Sequence, residues 1–114
     1  MQRKFRLTRS TDFKRVRRFG KSYAHPLVVL IVQPSDQSHL RVGVTAGKTV
    51  GMAVRRNRAK RLLRTAMQSL VPDIASGSDI LLIARQPLTE STLDQTRAAL
   101  QSLLRRAGLL TSPN

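Results

Sequence analysis

The chain has 114 residues, 40% of them apolar, and a formal net charge of +15 from 21 Lys and Arg against 6 Asp and Glu. That length suits one domain with one modest core, and the apolar share excludes a disordered basic tail. The absence of cysteine excludes disulfides and thiolate metal sites, while self-repulsion at this charge calls for a polyanionic partner.

Met1 to Leu7 is basic with no apolar segment behind it, so no secretory signal is expected. Residues 1–8 are expected as a flexible basic tail. A first helix is expected from Ser10 or Thr11, both good N-caps, with Asp12 in the first turn and Gly20 at the stop. Phe13 and Val16 follow at helical spacing. His25 and Pro26 break any helix, and Leu27 to Val32 then reads as a buried strand. This is the longest apolar run, far short of the ~20 residues that a membrane span needs. Pro34, Ser35 and Asp36 are turn residues.

Leu40 to Ala46 alternates, with Leu40, Val42, Val44 and Ala46 on one face, and reads as a half-buried strand. A helix follows from about Gly51 to Leu70, then a strand from Asp79 to Ala84. The strands on either side of that helix should pair in parallel. The last helix is expected from about Ser91 to Ala107, with Ser91 and Asp94 spaced as a capping box and Gly108 at its end. Residues 110–114 are expected as a flexible tail. The expected fold is a single α/β (α+β) domain, a two-layer sandwich of helices over a small mixed sheet, in the order α-β-β-α-β-α.

The chemistry lies in the middle helix. Its six cations between positions 55 and 64 have no acid among them. With Arg55 at zero and ~100° per residue, Ala59, Leu62, Leu63, Ala66 and Leu70 fall within roughly 340° to 80°. Asn57, Arg58, Lys60, Arg61 and Arg64 fall within roughly 140° to 300°. One stripe should dock on the sheet and the other should point away. Like charges sit at i,i+3 and i,i+4, each pair costing a few tenths of a kcal/mol. Arg55 and Arg56 also have the wrong sign for a helix N-terminus. An RNA backbone would relieve both penalties. The 16 Arg to 5 Lys favour phosphate forks and base stacking over a merely solvated surface. A solvated basic face remains the bland reading.

The run from Lys48 through Gly51, Ala53, Val54, Arg56, Asn57, Arg58, Lys60 and Arg61 to Arg64 resembles the signature of the bacterial ribonuclease P protein family. That pattern is Lys, then Gly-x-Ala-Val-x-Arg-Asn-Arg-x-Lys-Arg-x-x-Arg. The likeness extends to the Asp12-Phe13 helix start, the Leu40 to Gly43 strand, the Ile83 to Pro87 segment and the closing amphipathic helix. The resemblance implies a protein that binds a large catalytic RNA, in a ribonucleoprotein that removes the 5′ leader of precursor tRNA. It implies RNA contacts at Lys48, Arg56, Asn57, Arg58, Lys60, Arg61 and Arg64, with Mg²⁺ held mainly by the RNA. It implies a left-handed crossover between the parallel strands, against the usual rule. It also implies a leader-binding cleft beside the first helix. Phe13 matches an aromatic of that cleft, whereas the next two aromatic positions hold Arg17 and Ile31, so Arg15 and Arg17 would share the task.

Two His, no Cys and scattered acids form no metal cluster. Asp73, Asp79, Glu90 and Asp94 read as cap and turn residues. No catalytic residue is therefore expected on the polypeptide, and a protein-only nuclease is the weakest alternative. A ribosomal or general RNA-binding protein would share the composition but not the signature. The expected setting is cytoplasmic, with the protein monomeric in the complex and no membrane.

Overall fold

The computed structural model describes residues 3–74 and 77–110. Three helices and four strands follow in chain order: α1 (Ser10–Phe19), β1 (Lys21–Ala24), β2 (Val28–Pro34), β3 (Arg41–Ala46), α2 (Ala53–Gln68), β4 (Ser78–Ala84) and α3 (Leu93–Arg106). The expected α+β class with a mixed sheet holds. The strand order is β1-β2-β4-β3, with β1–β2 and β2–β4 antiparallel and β3–β4 parallel, as the alternation on either side of α2 predicts.

β4 lies inside the sheet and is buried along nearly its whole length. Its Ile80 to Ala84 run is continuously apolar because both faces are covered. Strand alternation then sorts the core into two clusters. Val28, Leu30, Ile80 and Leu82 turn to one face, where Leu63, Met67, Leu100 and Leu103 of α2 and α3 cover them. Ile31 and Leu81 turn to the other, where they meet Val16 of α1 and Leu7. Each fully buried side chain of this kind contributes about 1.5–3 kcal/mol.

Helices therefore lie on both faces, and the two-layer expectation is corrected to three layers. The order also gains a strand. β1 is a four-residue edge whose burial is slight; hairpin pairing with β2, closed by His25 N–H donating to Val28 O at 3.0 Å, defines it. The half-buried reading of β3 is corrected as well. Gly43 is buried, because the Phe13 ring lies where its Cβ would be, 2.8 Å from Phe13 Cζ.

Both expected tails are partly docked. Arg6 bridges to Val42, and Leu7, 4% exposed, donates its N–H to Val42 O at 2.8 Å. Leu110 bridges to Ile74 and is buried. Residues 1–2 and 111–114 of those tails lie outside the described residues.

Two caps differ from expectation. Arg9, extended and with no side-chain bond, takes the cap position of α1, so Ser10 is already helical. The capping box of α3 is Thr92 with Gln95, not Ser91 with Asp94: Gln95 N–H donates to Thr92 Oγ1 at 3.1 Å and Thr92 N–H to Gln95 Oε1 at 2.9 Å. Ser91 is buried instead, its hydroxyl donating to Leu88 O at 2.7 Å. The C-terminal stop is as read. Gly108, at φ 75°, closes a Schellman turn in which Leu109 N–H reaches Leu104 O and Gly108 N–H reaches Arg105 O.

Candidate RNA interface

α2 has no Gly or Pro and is rich in good helix formers, so the chain folds as a helix from Ala53 onward. A single 3-10 turn, Lys48–Val50, leads into it, and buried Val50 pins that turn. Gly51, at φ 129°, makes the bend that any side chain would strain. Ala59, Leu63, Ala66 and Met67 of α2 are buried, and Leu70 just beyond it is buried too. Met67 lies at the margin of the apolar arc and extends it. The buried stripe orients everything else on the helix.

Asn57, Arg58 and Arg61 are exposed, as is Lys48 on the preceding turn. Arg56, Lys60 and Arg64 are half-buried along one shoulder, four residues apart. Among the described residues the ion pairs join Arg15 to Asp12 and Asp79, Arg41 to Asp79 and Arg97 to Asp94. None involves α2. Two of its arginines have neutral partners: Arg55 donates to Thr89 Oγ1 at 3.2 Å and Arg58 Nε to Thr89 O at 3.3 Å. No carboxylate among the described residues is paired with the stripe.

Arg64 differs from the rest. It lines a cavity of about 190 Å³ with Arg6, Leu7, Thr8, Phe13, Val42 and Val44. Burial pushes its guanidinium below the ordinary value, and the Arg6 charge adds to this. Two cations thus meet there with no acid between them.

On the α1 side a groove of about 370 Å³ runs between that helix and β3, lined by Thr8, Ser10, Phe13, Lys14, Arg17 and Thr45. It shares Thr8 and Phe13 with the Arg64 cavity. Two of the four expected leader residues, Phe13 and Arg17, therefore line one groove. The other two do not. Ile31 is 4% exposed in the core beneath α1, an outcome of strand alternation rather than of its matching position. Arg15 is held by Asp12 at 3.1 Å, by Asp79 at 2.7 Å and by Gln33. Lys14 was missed by sequence reasoning. Its signal was present, since Ser10, Phe13, Lys14 and Arg17 fall at i, i+3, i+4 and i+7.

Asp79 also departs from its cap-or-turn reading. It is 1% exposed and accepts from Arg41 Nε at 2.8 Å as well as from Arg15. Burial alone would raise its carboxyl, but the Arg41 and Arg15 hydrogen bonds outweigh that and hold it below the ordinary carboxylate value. This pair clamps α1 to β3 and β4 and so sets one wall of the groove.

A family model described as Ribonuclease P matches residues 1–108. A ribonuclease P protein component of Chloroflexus aggregans is 39% identical over 99% of this chain and 84% of its own length. That of Oceanobacillus iheyensis is 37% identical over 96% and 92%. Among solved structures, the Staphylococcus aureus RNase P protein superposes with a TM-score of 0.83 at 30% identity, over 94% of this chain and 98% of that one. The Thermotoga maritima RNase P protein gives 0.79 at 30%, over 89% and 96%. The chain therefore belongs to the ribonuclease P protein family, the protein component of the holoenzyme that processes tRNA 5′ ends.

Proposed function

We propose that the outward stripe of α2, with Lys48, binds the RNA subunit, and that the α1–β3 groove receives the single-stranded 5′ leader of precursor tRNA. One observation carries this reading: α2 exposes Asn57, Arg58 and Arg61, with no acid paired to them among the described residues, by burying the opposite stripe. Phosphates are the partner that such a surface lacks. Phe13 offers the groove a ring edge for a base or ribose, and Lys14 and Arg17 offer charge to the leader backbone.

The described residues contain no group of three His, Cys, Asp or Glu able to hold a metal ion. Mg²⁺ is usually bound through one or two carboxylates and phosphate oxygens rather than by an all-protein cage, and we assign it mainly to the RNA subunit. The protein's part is to position two RNAs by charge. No helix among the described residues is long and apolar enough to cross a membrane; with no cysteine in the chain, a cytoplasmic monomer in the complex is the setting proposed.

The test is reconstitution with ribonuclease P RNA and a precursor tRNA at low Mg²⁺. The protein should stimulate leader removal, and Phe13→Ala or Arg17→Ala in the holoenzyme should weaken precursor binding relative to mature tRNA. Absence of stimulation would end the reading in favour of a general RNA-binding protein.

A further inference from the structure

The outward face of α2 is not uniformly cationic. Val54 is 81% exposed at its head, and Arg58, Arg61 and Thr65 follow it at i+4, i+7 and i+11 on the same face. Between this face and the start of α3 is a hollow of about 170 Å³, lined by Arg58, Arg61, Leu62, Thr65 and Leu93. Its floor is the half-buried pair Leu62 and Leu93, and its rim is the two exposed arginines. Arg58 is steadied by Thr89, while the Arg61 guanidinium has no hydrogen bond or ion pair among the described residues.

A surface built only for phosphate has no use for an apolar floor. The hollow is well below the ~300–1,000 Å³ of ordinary ligand pockets and suits a single flat heterocycle. RNA is read mostly where bases are unstacked and can lie against apolar or guanidinium planes, with phosphates on either side.

We propose that this hollow takes one splayed-out base of the RNA subunit. The base lies on Leu62 and Leu93, its neighbouring phosphates meet Arg58 and Arg61, and the Thr65 hydroxyl meets its edge. The occupant comes from the RNA subunit rather than the leader, because the α2–α3 layer and the α1 groove lie on opposite faces of the sheet. This deepens the reading that α2 faces that RNA and rests on it.

The experiment is binding of ribonuclease P RNA alone, without precursor tRNA, over a range of salt. The variants are Thr65→Phe, which fills the hollow from an exposed position, and Leu62→Ser, which removes its floor, with Arg61→Ala as the charge control. Stacking one base is worth about 1–3 kcal/mol, so each hollow variant should bind about tenfold more weakly at every salt concentration. Its slope of log K against log salt should match wild type, because no phosphate contact is lost. Arg61→Ala should instead lower the slope by about 0.7–0.9. Wild-type affinity in Thr65→Phe, with its melting temperature unchanged, would overturn the base slot, as would a reduced slope in both hollow variants. Failure of the wild-type protein to bind the RNA would instead overturn the functional reading beneath it.

Discussion

Replacing Asp79 by Asn removes one charge from the clamp beneath α1. Asp79 accepts Arg41 Nε on Oδ1 at 2.8 Å, and terminal nitrogens of Arg41 and Arg15 on Oδ2, both at 2.7 Å. Asn has one acceptor oxygen, so whichever way its amide turns, a guanidinium N–H faces an NH₂ group. A hydrogen bond to a charged group is worth about 1.5–3 kcal/mol. The Arg15 side chain is 35% exposed, so water screens its share. A loss of about 3 kcal/mol at neutral pH follows, or roughly 12 °C for a domain of this size. The sign with pH is fixed by the folded carboxyl lying below its ordinary value. Its contribution is complete above the unfolded pKa of about 3.9 and is lost as pH falls through the folded value. Thermal unfolding of wild type and Asp79→Asn should thus differ fully at pH 7, and the gap should narrow as pH falls below about 3.9 and through the lower folded value. A gap below about 3 °C at pH 7, or one that persists undiminished in acid, would refute the clamp.

Gly43→Ala should push the Phe13 ring out of its seat, since the new Cβ would lie 2.8 Å from Phe13 Cζ and 2.9 Å from Cε1. A cost of about 1–3 kcal/mol in chemical denaturation is expected, together with a measurable shift of the Phe13 ring resonances; neither change would mean that the ring does not pack there. Thr92→Ala should cost about 1 kcal/mol by removing the cap of α3. Asp94→Ala should cost less than about 0.5 kcal/mol, and equal costs in the two variants would restore the capping box read from the sequence.

The middle helix was the most legible element, because burial on one side alone imposes the 3.6-residue period that orders Ala59, Leu63 and Ala66. The parallel pairing of β3 with β4 followed from the helix between two apolar runs. What escaped had its cause elsewhere in the chain. β1 is a strand because β2 pairs with it, and its residues Lys21, Ser22, Tyr23 and Ala24 have no strong pattern of their own. Asp79 looked like a strand-edge turn residue because its partners, Arg15 and Arg41, are 64 and 38 residues away in sequence. Ile31 matched a cleft position by alignment of motifs, yet α1 covers its face of the sheet. The third layer was hidden for the same reason: Val16, Ile31 and Leu81 form a second core that no local period announces.

The division of labour on α2 is tested most directly by measuring stability and RNA affinity together in Arg61→Ala and Leu63→Ala. Arg61→Ala should melt like wild type and lose about 0.7–0.9 from the salt slope of RNA binding. Leu63→Ala should lose about 2–5 kcal/mol of stability while its folded fraction keeps the wild-type slope. An Arg61→Ala protein that melts early but binds RNA with an unchanged slope would show that the cationic stripe serves the fold and not the RNA.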